Sequence, residues 1–399
     1  MELLSELVIE SESKIVFLIA DGLGGLPQPG KLEKTELESA HKPNLDALAQ
    51  GSICGMSEPI GPGITPGSGP AHLSLFGYDP IKYQIGRGAL SAAGVGLEQG
   101  QHDVAARINF ATIDNNGVVR DRRAGRLPTE KTRELCSLLE GIKLPGAEII
   151  VRAEKEHRGV VLFRGEGLSD KLTDSDPQKE GLPILEVKAT EPQAARTASL
   201  VNRFIRESIS LLKSQAPANT ILLRGFASYP DLPQFDKLYK LKSAAIAAYP
   251  MYKGIARLLG MKVLDGCETI KDEFELLKAN FRNHDFFFVH FKKTDSAGED
   301  GDFERKVKAI EELDGYIPQL VDLKPDVIVV TGDHSTPSVL KSHSWHPVPF
   351  LMYSKFCRHD DVSTFSESAC SKGLLGVFPA VNIMPLVLAN GLRLKKFGA

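Results

Sequence analysis

Short apolar runs separated by helical patterns constrain this chain most. "KIVFLIA" (14–20), "ILL" (221–223), "FFFVHF" (286–291), "DVIVV" (326–330) and "PFLMY" (349–353) read as buried strands. Between them, Phe303, Val307, Ile310, Ile317 and Leu320 share one face at helical spacing. Val201, Phe204, Ile205, Ile209 and Leu212 do the same, and Pro43 suits the first turn of a helix. Strands alternating with helices predict an α/β fold with a mainly parallel sheet flanked by helices.

Sheets of this kind bind ligands at the carboxyl ends of their strands. Asp21 directly follows the first run, Asp295 follows the third, and Asp333 with His334 follows the fourth. These distant segments are therefore expected to converge on one site. The stretch 98–239 differs, being rich in Arg with short strand signals and turns. It is expected to be a smaller α+β domain inserted into a core made of 1–97 and 240–399.

Composition narrows the function. With 48 basic and 51 acidic residues the net charge is -3, which argues against a nucleic-acid groove spread over the surface. No apolar run approaches the about 18 residues of a membrane helix. The acidic start "MELLSELVIESESK" lacks the basic opening of a secretory signal. Five scattered cysteines without a CxxC fit free thiols in a reducing cytoplasm.

The chemistry-bearing residues each have a plain alternative. Asp21 in "ADGLGG" is a ligand geometry and also a turn signal. Ser68, in a Gly/Pro-rich loop before "PAHLSLF", is either a helix N-cap or a nucleophile beside backbone N–H donors. Asp333 and His334, with His343 nine residues on, suit a divalent transition metal or Mn²⁺. Asp295 and Glu299 are four apart and share a helical face. Their segment, "KKTDSAGEDGDF", fails the EF-hand pattern, and Asp300 and Asp302 read as solvated charges near a helix start. Arg120, Arg122, Arg123, Arg126, His157, Arg158, Arg224 and Lys253 supply candidate partners for phosphate and carboxylate, although single arginines are more often surface ion pairs.

Taken in order, the set resembles the alkaline phosphatase superfamily. Within it, the local wording is similar to the archaeal-type cofactor-independent phosphoglycerate mutases. "ADGLGG", "ESAHKPNLDALA", "PGSGPAHLSLFGYDP", "GRGALSAAGVG", "DVAARINFATID", "DRRAGR", "EHRGVVLFRG", "LLRGF", "YKGIARLLGM", "FKKTDSAGEDGDFERKVKAIEELD", "VVTGDHSTP" and "HSWHPVPFLMY" carry the resemblance over nearly the whole chain. It implies an alkaline-phosphatase-like core holding two divalent ions, and interconversion of 3-phosphoglycerate and 2-phosphoglycerate. Ser68 would be the phosphorylated nucleophile. Asp21, Ser68, Asp333 and His334 would surround one ion, and Asp295, Glu299 and His343 the other. Lys253, Arg122, Arg123, His157, Arg158 and Arg224 would hold substrate, with Lys253 and Arg224 closest to the chemistry. The implied partner is phosphoglycerate, with no nucleic acid or membrane, in a cytoplasmic monomer or small homo-oligomer.

Three positions depart from the family. Glu299 stands where His is usual, His346 where Asp is frequent, and "SGPAH" where "SDTAH" is common. A carboxylate for an imidazole hardens the site and favours Mn²⁺ or Mg²⁺ over Zn²⁺. His346 either restores the lost nitrogen donor, or stands behind the ligands or faces solvent. The competing functions are a metal-dependent phosphatase or phosphonate hydrolase on the same core, and a non-catalytic phosphometabolite binder.

Overall fold

The structure is a computed structural model that describes residues 2–398. The chain divides into two compact units. One comprises the segments up to Gln84 and from Pro233 onward, and the other is Ile85–Leu232. The second unit starts earlier than the expected 98 because helix Arg87–Gly94 packs on its strands Val104–Ile113, Arg158–Arg164 and Thr220–Ala227. It ends before 239 because Phe235–Tyr239 belongs to the first unit. There the Tyr239 hydroxyl donates to the Phe76 carbonyl and the Phe235 ring lies 4.8 Å from Phe286.

The first unit is built on an eight-stranded sheet. Ile15–Ala20 lies at its centre, parallel to Phe286–Phe291 on one side and Val327–Thr331 on the other. Ser243–Ala247 extends the parallel set. All four strands are buried along their whole length, as continuous apolar runs covered on both faces should be. Val348–Ser354 runs antiparallel to both its neighbours, so the sheet is mixed at that end. The apolar face spanning 303–320 belongs to two helices. Phe303–Asp314 is capped at Gly315, and Ile317–Asp322 restarts with Pro318 in its first turn.

The second unit carries a five-stranded antiparallel sheet. Helix Ala195–Leu212 covers it with Val201, Phe204, Ile205 and Leu212 buried. No helix among the described residues is long and apolar enough to cross a membrane.

One buried acid in the first unit makes stability depend on pH. Glu273, on helix Ile270–Asn280, is 3% exposed, and its Oε2 has no hydrogen-bond partner. Burial, helped by nearby Asp272, pushes its carboxyl up to about 8. A raised pKa means the fold favours the neutral acid. Its contribution is full below the unfolded value near 4.3 and is lost as pH rises through about 8. Glu273→Gln is therefore expected to match the parent at pH 4 and to be more stable by roughly 5 kcal/mol at pH 9. Thermal melting at the two pH values tests this, and an equal difference at both would refute it.

Candidate functional site

Asp21 sits at the end of the central strand, fully buried, with its N–H donating to the Phe291 carbonyl. The next residue must be glycine. Gly22 has φ +62°, and a Cβ there would come within 2.5 Å of Thr336 Oγ1 and 2.8 Å of Asp295 Oδ1. This close approach brings three segments together. Gly22 N–H donates to Asp333 Oδ1 at 3.1 Å.

Two groups of donors converge. His334 Nε2 lies 3.4 Å from Asp21 Oδ1 and 3.2 Å from Asp333 Oδ2. His343 Nε2 lies 3.6 Å from Asp295 Oδ1 and 3.8 Å from Glu299 Oε1. The two imidazoles stack at 3.7 Å. Asp21, Asp333 and His334 can each offer one atom to a common ion, and so can Asp295, His334 and His343.

Hydrogen bonding sets both imidazole tautomers. The Thr336 hydroxyl donates to Asp295 Oδ1 at 2.7 Å, so it accepts from His334 Nδ1, 3.0 Å away. His343 Nδ1 lies 3.0 Å from the Pro66 carbonyl, which can only accept. Each ring therefore carries its proton on Nδ1 and turns a lone pair on Nε2 toward the carboxylates. Asp21 Oδ1 and Asp333 Oδ2 are buried without a hydrogen-bond partner. Oxygen and nitrogen lone pairs gathered in this way fit a divalent cation of the harder or borderline kind.

Ser68 is the first residue of helix Ser68–Leu75, and the cap is Gly67. Its hydroxyl is not consumed in capping and lies 3.2 Å from His334 Nε2. The helix start adds backbone N–H donors and a positive dipole end.

Several partners of these groups carried little sequence signal. Lys292 Nζ bridges Asp21 Oδ2 (2.9 Å) and Asp295 Oδ2 (2.5 Å), leaving the Oδ1 atoms toward the imidazoles. Burial disfavours the Lys292 charge, but the two carboxylates outweigh it and raise its pKa. Burial would raise Asp21 as well, yet Lys292 and His290 hold it well below the usual carboxylate range. Burial and the neighbouring Asp21 push Asp333 the other way. The Tyr252 hydroxyl donates to Asp21 Oδ2, and His290 stacks on the Tyr252 ring at 3.6 Å. His72 Nδ1 donates to the Ser68 carbonyl at 2.8 Å, and burial pushes its pKa down to about 3. Lys292 stands three residues before Asp295 and His72 four after Ser68, spacings that put each pair on one side of a helical turn.

Other expected residues fall elsewhere. Lys253 pairs with Asp265 at 2.9 Å, so Tyr252 is the side chain of helix Pro250–Leu258 that reaches Asp21. His346 Nδ1 faces the Ser344 hydroxyl and its ring stacks on Trp345, outside both donor groups. Glu299 stands near His343 but outside those groups, with a half-exposed side chain. Asp302 caps helix Phe303–Asp314 and Asp300 pairs with Arg305.

In the second unit, strand register gathers arginines. Arg107 lies directly opposite Arg224, and Asn109 lies opposite Arg158. Residues 107 and 109 share a face, so all three arginines project from one side of the sheet. Arg87 joins them. Burial, then Arg224 and Arg107, lower its pKa. It can approach because a Cβ on Gly88 would lie 2.2 Å from the Ala105 carbonyl, which presses the helix start onto the strand. Like charges placed opposite one another cost stability, so this face is suited to bind an anion. Asp176 takes a bidentate pair from Arg122 and lies 3.5 Å from Arg224. His157 is 2% exposed, with its pKa pushed down to about 4 by burial and then by Arg158 and Arg123. Arg123 itself is exposed, and its N–H donates to Asp121. Arg87 and Arg107 were not singled out in the sequence, although both lie in the stretches "GRGALSAAGVG" and "DVAARINFATID".

A mainly parallel sheet with carboxylate and imidazole groups at its strand ends, beside a serine at a helix start, makes this an α/β core carrying a cluster of candidate metal ligands. The family model described as 2,3-bisphosphoglycerate-independent phosphoglycerate mutase matches residues 49–219. Relatives named "Probable 2,3-bisphosphoglycerate-independent phosphoglycerate mutase" include one from Thermotoga maritima, 53% identical over 100% of this chain and 99% of its own length. Another, from Thermus thermophilus, is 48% identical over 99% of this chain and 98% of its own. Among solved structures, a protein from Pyrococcus horikoshii is similar with TM-score 0.83 and 31% identity, covering 98% of this chain and 100% of that one. The cofactor-independent phosphoglycerate mutase from Thermoplasma acidophilum is similar with TM-score 0.74 and 31% identity, covering 95% and 100%. The chain belongs to the 2,3-bisphosphoglycerate-independent phosphoglycerate mutase family.

Proposed function

We propose that this chain interconverts 3-phosphoglycerate and 2-phosphoglycerate through a phosphorylated Ser68. The observation that carries this reading is the Ser68 hydroxyl 3.2 Å from His334 Nε2, the tautomer-fixed nitrogen that also faces the unpartnered oxygens of Asp21 and Asp333. Asp21, Ser68, Asp333 and His334 would hold one divalent ion, and Asp295, Glu299 and His343 the other, with Mn²⁺ or Mg²⁺ favoured over Zn²⁺. Such ions, when bound, supply Lewis acidity toward phosphoryl oxygens and lower the pKa of a bound hydroxyl.

The chain's own groups divide the remaining work. Ser68 Oγ attacks phosphorus, the bond from phosphorus to the substrate's 3-oxygen breaks, and that oxygen takes up a proton. Glycerate then attacks the phosphoserine through its 2-oxygen, which regenerates the serine. The arginine face of the second unit, formed by Arg87, Arg107, Arg158 and Arg224 with Arg122, Arg123 and His157 nearby, would bind the carboxylate and phosphate oxygens of the substrate. Lys292 holds the far oxygens of Asp21 and Asp295 and so fixes the direction of the near ones. Lys253, paired with Asp265, would act on substrate only by leaving that partner. The reading places the enzyme in the cytoplasm as a monomer or small homo-oligomer, consistent with its free cysteines.

An enolase-coupled assay on 3-phosphoglycerate with Mn²⁺, Mg²⁺, Co²⁺ and Zn²⁺ tests the function, with phosphate release followed in parallel. Mutase turnover should exceed phosphate release. The opposite ranking would make the protein a phosphatase.

Glu299 gives a separate test. Burial and then the neighbouring Asp295 raise its carboxyl, so a cation is its natural partner. Glu299→Ala is expected to weaken Mn²⁺ at one of two sites about tenfold or more. Glu299→His should move the preference toward Zn²⁺. Unchanged stoichiometry and metal preference in the alanine variant, read by metal analysis and calorimetry, would remove Glu299 from the ligand set.

A further inference from the structure

A buried ammonium lies behind the loops that carry the donor groups. Lys306, on helix Phe303–Asp314, is completely buried. Its Nζ donates to the backbone carbonyls of Gly24 at 3.0 Å and Thr336 at 2.8 Å. Gly24 belongs to the loop that begins at Asp21, and Thr336 to the loop that begins at Asp333. The same loops are joined by their backbones, since Thr336 N–H donates to the Gly24 carbonyl at 3.0 Å.

Two carboxylates flank this ammonium, Glu36 fully buried and Glu367 partly buried. Glu36 accepts from Ser338 N–H at 2.8 Å, and its Oε2 has no hydrogen-bond partner. Glu367 accepts from Gly25 N–H at 2.8 Å and from the Thr35 hydroxyl at 2.7 Å. Burial pulls the Lys306 pKa down, and Glu36 and Glu367 oppose that pull. A buried ammonium is a costly way to fill space, and an apolar side chain of the same size serves stability as well or better. What an apolar side chain lacks is the pair of directed bonds to the two loops.

Thr336 is where those bonds matter. Its hydroxyl links His334 Nδ1 to Asp295 Oδ1, one residue from each donor group. Its carbonyl is held from the other side by helix Lys293–Asp300, where a Cβ on Gly298 would lie only 2.2 Å away. We propose that Lys306 is a positioning residue for the phosphoryl-transfer centre, locking the Asp21 loop to the Asp333–His334 loop and, through Thr336, setting the spacing between the two metal groups. This rests on the reading that those residues hold divalent ions.

The test uses the full chain with Mn²⁺ as probe. Lys306→Met removes both bonds, and Lys306→Met with Glu36→Gln also removes the charge of the flanking carboxylate that has an unpartnered oxygen, leaving Glu367 held by Gly25 and Thr35. The double variant is expected to recover the parent's melting temperature. Its Mn²⁺ affinity should still be at least tenfold weaker, and kcat at saturating Mn²⁺ should remain tenfold or more below the parent with little change in KM. Recovery of Mn²⁺ affinity and kcat together with stability would overturn the proposal, because Lys306 would then only balance charge. Parent-like Mn²⁺ binding by Lys306→Met would overturn it too, as would failure of both variants to fold, which would make Lys306 a residue of the core alone. Asp333→Asn separates the underlying reading. If it binds Mn²⁺ as the parent does, the metal assignment itself fails.

Discussion

Ser68→Ala is expected to lower mutase turnover by about 10⁴-fold or more while leaving the fold intact. The size follows from removing the only atom on which the phosphoryl group is held between the two half-reactions. The fold should tolerate the change because Gly67, not Ser68, occupies the cap position of helix Ser68–Leu75. The usual loss of about 1 kcal/mol on deleting a serine cap does not arise. The hydroxyl's contact within the protein is the 3.2 Å approach to His334 Nε2, an atom that also faces Asp21 and Asp333. A coupled assay measures the loss, and mass spectrometry of the parent mixed with 3-phosphoglycerate should find phosphate on the Ser68 peptide. Substantial turnover by the alanine variant would sink the phosphoserine route.

Asp21→Asn should be nearly as severe, lowering kcat about 10³-fold and reducing bound Mn²⁺ from two per chain toward one. Asparagine keeps the shape of the side chain and removes its charge, so the effect isolates electrostatics. Asp21 is fully buried, yet Lys292 and His290 keep its carboxyl well below the usual range, so it is anionic at any working pH. A depressed carboxylate also contributes stability above the unfolded value near 3.9, and that contribution is lost as pH falls through the folded value. The variant should therefore be less stable than the parent at pH 7, with the gap closing on acidification. Metal analysis showing two tightly held ions in Asp21→Asn would exclude Asp21 as a ligand.

The residues at strand ends were the legible part of this site. Asp21, Asp295, Asp333 and His334 each follow an apolar run, and in a parallel sheet the ends of neighbouring strands lie side by side. The arginine face was hidden, because Arg107, Arg158 and Arg224 meet only once the register of three antiparallel strands is known. Adjacent helical residues were ambiguous for a simpler reason. Tyr252 and Lys253 differ by about 100° around their helix, so only the packed structure shows that Tyr252 is the one turned to Asp21. Val348–Ser354 has the same apolar composition as the parallel strands and carries no sign of its reversed direction. The boundary at Ile85 was missed because helix Arg87–Gly94 is small-residue-rich and reads equally well as an end of either unit.

The central place of Ile15–Ala20 in its sheet has a consequence for how the chain comes off the ribosome. This strand is made before the second unit, and both its neighbours, Phe286–Phe291 and Val327–Thr331, are made after it. The second unit, by contrast, is one continuous segment whose strands pair only with each other. It can fold as soon as it emerges, while an entirely apolar strand waits upstream without either partner. Long-range pairing of this kind is slow and leaves sticky surface uncovered. The donor groups around Asp21 therefore assemble only once the strands that follow the second unit have been made.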